Sequence, residues 1–526
     1  MTCSDAIALD IENSTEDFRN SQHHQNSDEI SVTNEDDRDL LKLGYRSILA
    51  RGWGSFDNFA CSFSALNCVG GIRVLFYIAL SGGGPAAIWS SWVSGSILSV
   101  ITAACLAEAC SSYPAAGSIY YWAFRSWGGG KLGRFISFLV AAWTLVAWTA
   151  FLASDSFGVA NYLISEIVVF DPKTSFPYET ADVRARAVAW AISLLFLAIA
   201  TTLNFLPPRM YSWVFRAGVT VIIIDMLLNF IWLPIGVSNT YGFQSAEYVF
   251  TSTYNGGDTS PGLNWVLSWY LVGSCLVGQD ASGHVAEETV SAKKGRREGV
   301  PQPFINMYAM ALGPHAHVVM TIVAMVGAIL NTSISLVAVS RLVFAVARDG
   351  VFPFSDVLSR VSKSKQPHNA VILISGIAAL LLCTQLPSQV AFSSLISTSA
   401  AGSLAAYGLV GIGRSFITRK SFRPGFWDLG RFGIVAAVVT FLWNGFAFAV
   451  LCAPAYSDSA IDEDSTLFNY AIVIMGGVTI IAIVEWWRKS NGDWFGHLKI
   501  VDSETEIKYS IGSEERKNAS VDTTTL

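Results

Sequence analysis

The chain has 526 residues, 52% of them hydrophobic and only 14% charged, with a net charge of −6. Soluble chains carry roughly 25% charge. The composition therefore predicts an all-α polytopic membrane protein and excludes a soluble multidomain protein, a coiled coil and a secreted disulfide scaffold. It offers no basic field for nucleic acid.

In chain order, residues 1–50 are polar and acidic (Glu12, Glu16, Asp17, Asp28, Glu29, Glu35, Asp36, Asp37) and predict a disordered cytosolic tail without a cleavable signal peptide. Residues 51–488 form the transmembrane domain. A span needs about 20 apolar residues. Runs that meet this fall at 56–80, 86–109, 135–164, 187–205, 213–237, 264–283, 318–347, 370–386, 391–410, 432–452 and 467–487. Residues 489–526 form a second polar cytosolic tail. All cysteines but Cys3 lie in apolar runs and read as small buried hydrophobes, with no CxxC or HExxH to hold a metal.

Lys and Arg in short loops favour the cytosol. With the N-terminus inside, the loops carrying Arg125, Lys131 and Arg134, Arg209, and Lys293, Lys294, Arg296 and Arg297 fall inside. Lys173, Arg184 and Arg186 are the one poor fit. The basic loop with Arg348, Arg360, Lys363 and Lys365 follows only one span later, and every later loop then has the wrong sign. One additional span between Gly299 and Pro301 would repair all of them. Eleven spans are found where the charge pattern demands twelve.

There is no P-loop, since Gly128-Gly129-Gly130-Lys131-Leu132 lacks the glycine spacing and the Ser/Thr for magnesium. Nor is there a carbonyl selectivity filter of the potassium-channel kind. A secondary transporter remains, and such proteins interrupt helices near the midplane. Two spans carry interruptions: Asn67, Cys68, Val69, Gly70, Gly71 and Ile72, followed by Arg73, in the first, and Gly278, Gln279 and Asp280, running on to His284, in the sixth. They lie in corresponding places of two five-span sets. Freed amides and half-helix dipoles at such breaks suit a charged substrate. Close packing of helices is the competing explanation for the glycines.

Other intramembrane charges are site candidates because each costs about 2.5–3.5 kcal/mol to insert. Asp155 shares a helix face with Trp148 and Leu152, and a carboxylate beside an indole suits an amine or quaternary ammonium. An interfacial aspartate is the alternative. Asp225 reads as lining or packing. Glu108, Arg341 and Arg348 sit at inner helix ends, as a gate or as anchors. His284 is a candidate proton relay or a hydrogen-bonded packing residue. Arg216, near the inner end of the fifth span, can snorkel to the cytosol.

Several stretches resemble the amino acid–polyamine–organocation permease superfamily, in its fungal amino-acid/choline/GABA branch. They are Gly52-Trp53-Gly54-Ser55-Phe56 with Gly82-Gly83-Gly84-Pro85, Leu106-Ala107-Glu108 with residues 113–122, residues 278–289, and residues 340–353. The resemblance runs from about 52 to 488. It implies a five-plus-five inverted repeat plus two C-terminal helices, with substrate between helices one, three, six and eight. It also implies proton-coupled import across the plasma membrane, both tails cytosolic, no cofactor and a basic residue such as Arg216 in place of a sodium ion. After Arg297-Glu298-Gly299-Val300, family members continue into helix seven, whereas this chain passes to Pro301-Gln302-Pro303-Phe304.

The expected function is a permease for a small nitrogenous solute and not an enzyme. A carboxylate-bearing amino acid or GABA should use the amides of 69–72; choline or another quaternary ammonium or vitamin should use Trp148 and Asp155. A transport-defective variant lacking helix seven is the third reading, in which a longer product with the span restored transports and this chain does not.

Overall fold

The computed structural model describes residues 53, 55–113, 117–171, 182–255, 260–276, 303–313, 316–352, 354–387, 389–425, 427–453 and 469–489. All of them fall in one compact unit, Ile48–Gly496. The two tails and most of the second interruption, including Gly278, Gln279, Asp280 and His284, lie outside the described residues.

The described residues are helical throughout, without strands. The first helix, α1 (Ser55–Leu66), stops at Asn67, and α2 (Cys68–Ser112) follows at once. Then come α3 (Ile119–Ser126), α4 (Lys131–Phe170), α5 (Val183–Leu203) and α6 (Pro208–Thr240), the last with a π turn at Leu228–Trp232. Short α7 (Ala246–Thr251), α8 (Pro261–Leu267) and α9 (Trp269–Cys275) precede α10 (Pro303–Leu312). The remainder is α11 (Ala316–Arg348), α12 (Ser355–Leu358), α13 (His368–Leu382), α14 (Gln389–Ile412), α15 (Gly433–Cys452) and α16 (Ala471–Lys489).

Nine helices among the described residues are long and apolar enough to cross a membrane. Each corresponds to a span predicted from sequence. The two predicted spans absent from that set are the first and the sixth, the pair read as interrupted. The first is divided at Asn67; the sixth, described only to Leu276, is already divided at Ser268.

Three predicted boundaries shift for physical reasons. The runs at 56–80 and 86–109 leave the Gly82–Pro85 stretch as a loop between two spans. Instead α2 runs through it with a sharp kink at Gly84, whose φ of +77° is open only to glycine at little cost. Two bonds from residues 252–254 hold the kink: the Tyr254 amide donates to Gly83 (3.3 Å) and the Ala86 amide to Ser252 (3.1 Å). The third and seventh apolar runs are also longer as helices than as hydropathy, because a helix continues through charged end residues that an apolar window rejects.

Contacts set the helix directions. Asp57 faces Ser212 and Arg73 faces Asp225, so α6 runs parallel to the first span. Asp155 meets Thr332 while Glu166 meets Thr321 and His317, so α11 runs antiparallel to α4. Trp265 meets Ser90, Ser268 meets Ala87 and Cys275 meets Gly71, so the sixth span runs against the first. At Cys275 the chain has therefore returned from the Gly83 end to the level of the first break. Yet α10 packs at the far, C-terminal end of α6, where a Cβ on Gly236 would lie 2.6 Å from the Ala311 carbonyl.

The most apolar windows of α4, α11 and the Ser397–Ile417 span that contains most of α14 are 67%, 61% and 72% buried, so these three helices form the interior. Those of α5, α6 and α16 are only 22% buried and expose Leu195, Trp213, Phe230 and Ile480. Such faces suit lipid, which solvates them as well as protein does, so packing and polar contacts must hold the helices together.

Candidate functional site

The first break is a single residue. Asn67 adopts left-handed torsions (φ 31°, ψ 52°), and its side chain accepts the Gly70 amide (3.4 Å), capping the helix that follows. Gly70, Gly71 and Ile72 are therefore the first turn of α2 and not the interruption itself. Cys68 opens that turn, and the Val69 carbonyl accepts from Arg73 Nε (3.3 Å). The carbonyls left at the end of α1 are also met. With its amide nitrogen turned toward α1, Asn331 of α11 donates to Ser64 (3.0 Å) and Ala65 (3.2 Å). Gly71 allows a close approach rather than unusual torsions: a Cβ there would stand 2.9 Å from Cys275 Sγ. The two interrupted spans thus touch beside the first break.

One turn on, the Arg73 guanidinium forms a buried ion pair with Asp225 of α6. Asn229 donates to Asp225 Oδ1 (3.1 Å) and accepts from the Tyr308 hydroxyl of α10 (2.7 Å). Arg73 also lies 5.8 Å from the Tyr162 ring of α4. Asp225, read from sequence as lining or packing, is instead the counter-charge of Arg73. Neither residue has its partner on its own helix, which is why no helical spacing could reveal the pair.

Asp155, 4% exposed, sits in the α4–α11 interface and accepts from Thr332 Oγ1 at 2.5 Å. No Lys, Arg or His among the described residues forms an ion pair with it. Trp148 is buried two turns earlier on α4, against Phe151. A buried carboxylate without a counter-charge is costly and favours occupation by a proton or a cation. Nearer the C-terminal end of α4, Glu166 accepts from Thr321 (2.7 Å) and lies 3.0 Å from His317 Nδ1. Both lie just outside the apolar runs drawn from sequence, at 135–164 and 318–347, and so escaped notice there.

At the opposite end of the bundle, Glu108 pairs with Arg414 (3.3 Å) and accepts the Leu429 amide (3.2 Å). Arg216, half exposed, lies 3.8 Å from Asp57. Arg341 sits 4.6 Å from the Trp53 ring and donates to Gln366 (2.7 Å), lining a small cleft with Tyr211 and Asn204. Among the described residues no three His, Cys, Asp or Glu side chains converge as a metal site would require.

Helices of this length and composition, burying charged side chains between them, define a polytopic membrane protein. The profile of the amino acid permease family matches residues 56–298 and 294–478. The thiamine transporter thi9 of Schizosaccharomyces pombe is 40% identical over 92% of this chain and 91% of its own length. Amino-acid permease BAT1 of Arabidopsis thaliana is 28% identical over 87% of this chain and 95% of its own, and the Oryza sativa subsp. japonica homolog is 27% identical over 87% and 94%. The chain belongs to the amino acid permease family; it is a permease-family membrane protein and not an enzyme.

Proposed function

We propose that the fold is built to carry a small organic cation of the thiamine or quaternary-ammonium kind, with Asp155 as the residue that takes its charge. The observation that carries this reading is Asp155 itself, a carboxylate inside the bundle whose one described partner is a hydroxyl. Thiamine bears a permanent positive charge on its thiazolium ring, so it can neutralise Asp155 without a proton. A zwitterionic amino acid would also need a cationic group for its carboxylate. Arg73, the cation beside the first break, is already neutralised by Asp225. The likeness to a thiamine transporter across nearly the whole chain supports the cation reading. The break at 67–72 lies beside this region, and its amides remain candidates for orienting the substrate.

The second part of the proposal is that this chain holds one span fewer than the family design. Three observations support it beyond the charge pattern. The family match falls into two pieces that meet at 294–298. The alignment to the thiamine transporter covers 544 positions although only 92% of 526 residues take part, so roughly sixty positions of the relative face no residue here. Finally, α9 ends half-way down the bundle while α10 is back at the end it came from, with only residues 277–302 between. A helical passage to the Pro208 end of α6 and back to its Thr240 end would cover about 75 Å, or roughly fifty residues at 1.5 Å each. The proposal therefore assigns these 526 residues substrate binding without the rocking cycle that carries substrate across.

Equilibrium binding of thiamine, choline and GABA to the purified chain tests the substrate class. Thiamine binding that Asp155→Asn weakens is the expected result. Binding of GABA alone, unaffected by that change, would overturn it.

A further inference from the structure

The α4–α11 interface carries a second acidic position built like the first. Asp155 and Glu166 stand eleven residues apart on α4; their threonine partners, Thr332 and Thr321, stand eleven apart on α11. Eleven residues are about three turns, so the two carboxylates share a face, separated by roughly 16 Å along the axis. In both, the threonine hydroxyl also lies within reach of the carbonyl one turn back, Ala328 (2.9 Å) for Thr332 and His317 (3.1 Å) for Thr321. The positions differ in one respect. Glu166 has a titratable neighbour, His317, whose Nδ1 stands 3.0 Å from Oε1.

We propose that Glu166 and His317 form a proton-binding site whose occupancy opposes organic-cation binding at Asp155; this rests on the cation-permease reading above. The occupant is a proton rather than a second organic cation: Glu166 Oε2 accepts from Thr321, and buried Oε1 faces buried His317 Nδ1 at 3.0 Å with no other hydrogen-bond partner for either atom, a gap a proton can fill and an organic cation cannot. The His317 side chain is 2% exposed and that of Glu166 15%. Imidazole is the side chain that changes charge between about pH 5 and 8. The pair is also placed to exchange with water, since His317 is the second residue of α11 and Glu166 lies in the last turns of α4.

Asp155 of α4 can itself take a proton in place of the cation, so the part of a pH effect that belongs to His317 is the part a His317 variant loses; the remaining titratable groups on the elements packed here do not supply the same function. Arg73 of α2 and Asp225 of α6 neutralise each other. Tyr162 of α4, Tyr308 of α10 and Cys383 beyond α13 have no cationic form, so none of them can hold a proton as a positive charge. Arg184 of α5 and Asp171 at the end of α4 are exposed, and Arg186 Nε donates to the Leu386 carbonyl (3.1 Å).

Adding one unit of positive charge about 16 Å from the bound cation, in an interior of effective dielectric near 20, removes enough attraction to change an affinity about fivefold. A proton held by the pair weakens the cation at Asp155, and an arriving cation expels the proton.

The test is radiolabelled thiamine binding to the purified full chain at pH 5.5 and 7.5. Binding by the wild type should be weaker at pH 5.5, and the Glu166–His317 pair should account for about fivefold of the ratio between the two pH values. His317→Gln, and Glu166→Gln with His317→Gln together, should lower that ratio about fivefold, leaving only the part that Asp155 contributes. Thr321→Val, which removes the hydroxyl but keeps both titratable groups, should leave the wild-type ratio in place. A ratio that His317→Gln leaves unchanged from the wild type overturns the proton site while the cation reading stands. If the wild type binds no thiamine at either pH, the substrate reading fails and thermal unfolding at the same two pH values decides. A pH-dependent midpoint lost in His317→Gln upholds the proton site, and an identical dependence in both proteins removes it.

Discussion

At the residue scale, the account turns on what a single buried charge must have around it. Asp155 was legible in the sequence, as a carboxylate on one helix face with Trp148, and the structure adds that its described partner is Thr332 across the α4–α11 interface. If it receives the substrate's charge, Asp155→Asn should weaken thiamine binding by about 2 kcal/mol, roughly thirtyfold, as loss of a buried charge partner does. A radioligand saturation curve on the purified variant, with its melting temperature as folding control, measures this. Gly71 makes a steric prediction. Because a Cβ there would lie 2.9 Å from Cys275 Sγ, Gly71→Leu should wedge the first and sixth spans apart and lower both melting temperature and binding. Unchanged values would show that these spans separate freely. The Arg73–Asp225 pair was not legible, since its members lie on different spans and a single sequence carries no sign of which charge meets which.

At the element scale, the interrupted helix shows where pattern reading succeeds and where it stops. The chemistry of a break was visible in Asn67-Cys68-Val69-Gly70-Gly71. Its position was assigned to the glycines, because glycine tolerates unusual torsions. The residue that breaks the helix is Asn67, which reaches left-handed torsions and supplies its own cap. Asn67→Gly should keep the break, whereas Asn67→Ala should cost about 1 kcal/mol from the lost cap and more from the torsion, read as a lower melting temperature in detergent. At the other end of the bundle Glu108 and Arg414 bridge α2 to the turn beyond α14. Sequence had left Glu108 between gate and anchor because its partner lies 306 residues away. Glu108→Gln should cost about 3–5 kcal/mol by leaving Arg414 buried and uncompensated. Adding Arg414→Met should recover much of that loss, and a double-mutant cycle of melting temperatures tests the pairing.

At the scale of the whole molecule, composition and apolar runs were enough for a polytopic helical protein, because lipid permits few alternatives to the helix. Nine of the eleven predicted spans stand as long helices among the described residues. The helix directions were less accessible. Charge parity alone left open whether everything beyond the proposed missing span would be inverted; the contacts keep α11 antiparallel to α4, so under that proposal the conflict falls on residues 277–302. The central claim is a cation permease fold short of one span. The most direct measurement is uptake of radiolabelled thiamine by fungal cells lacking their own thiamine uptake. They would express either the 526-residue chain or a version with an apolar span inserted after Val300, at matched surface levels. The account predicts uptake by the lengthened version, lost again with Asp155→Asn, and background uptake by the chain as it stands. Robust thiamine uptake by the 526-residue chain would contradict it.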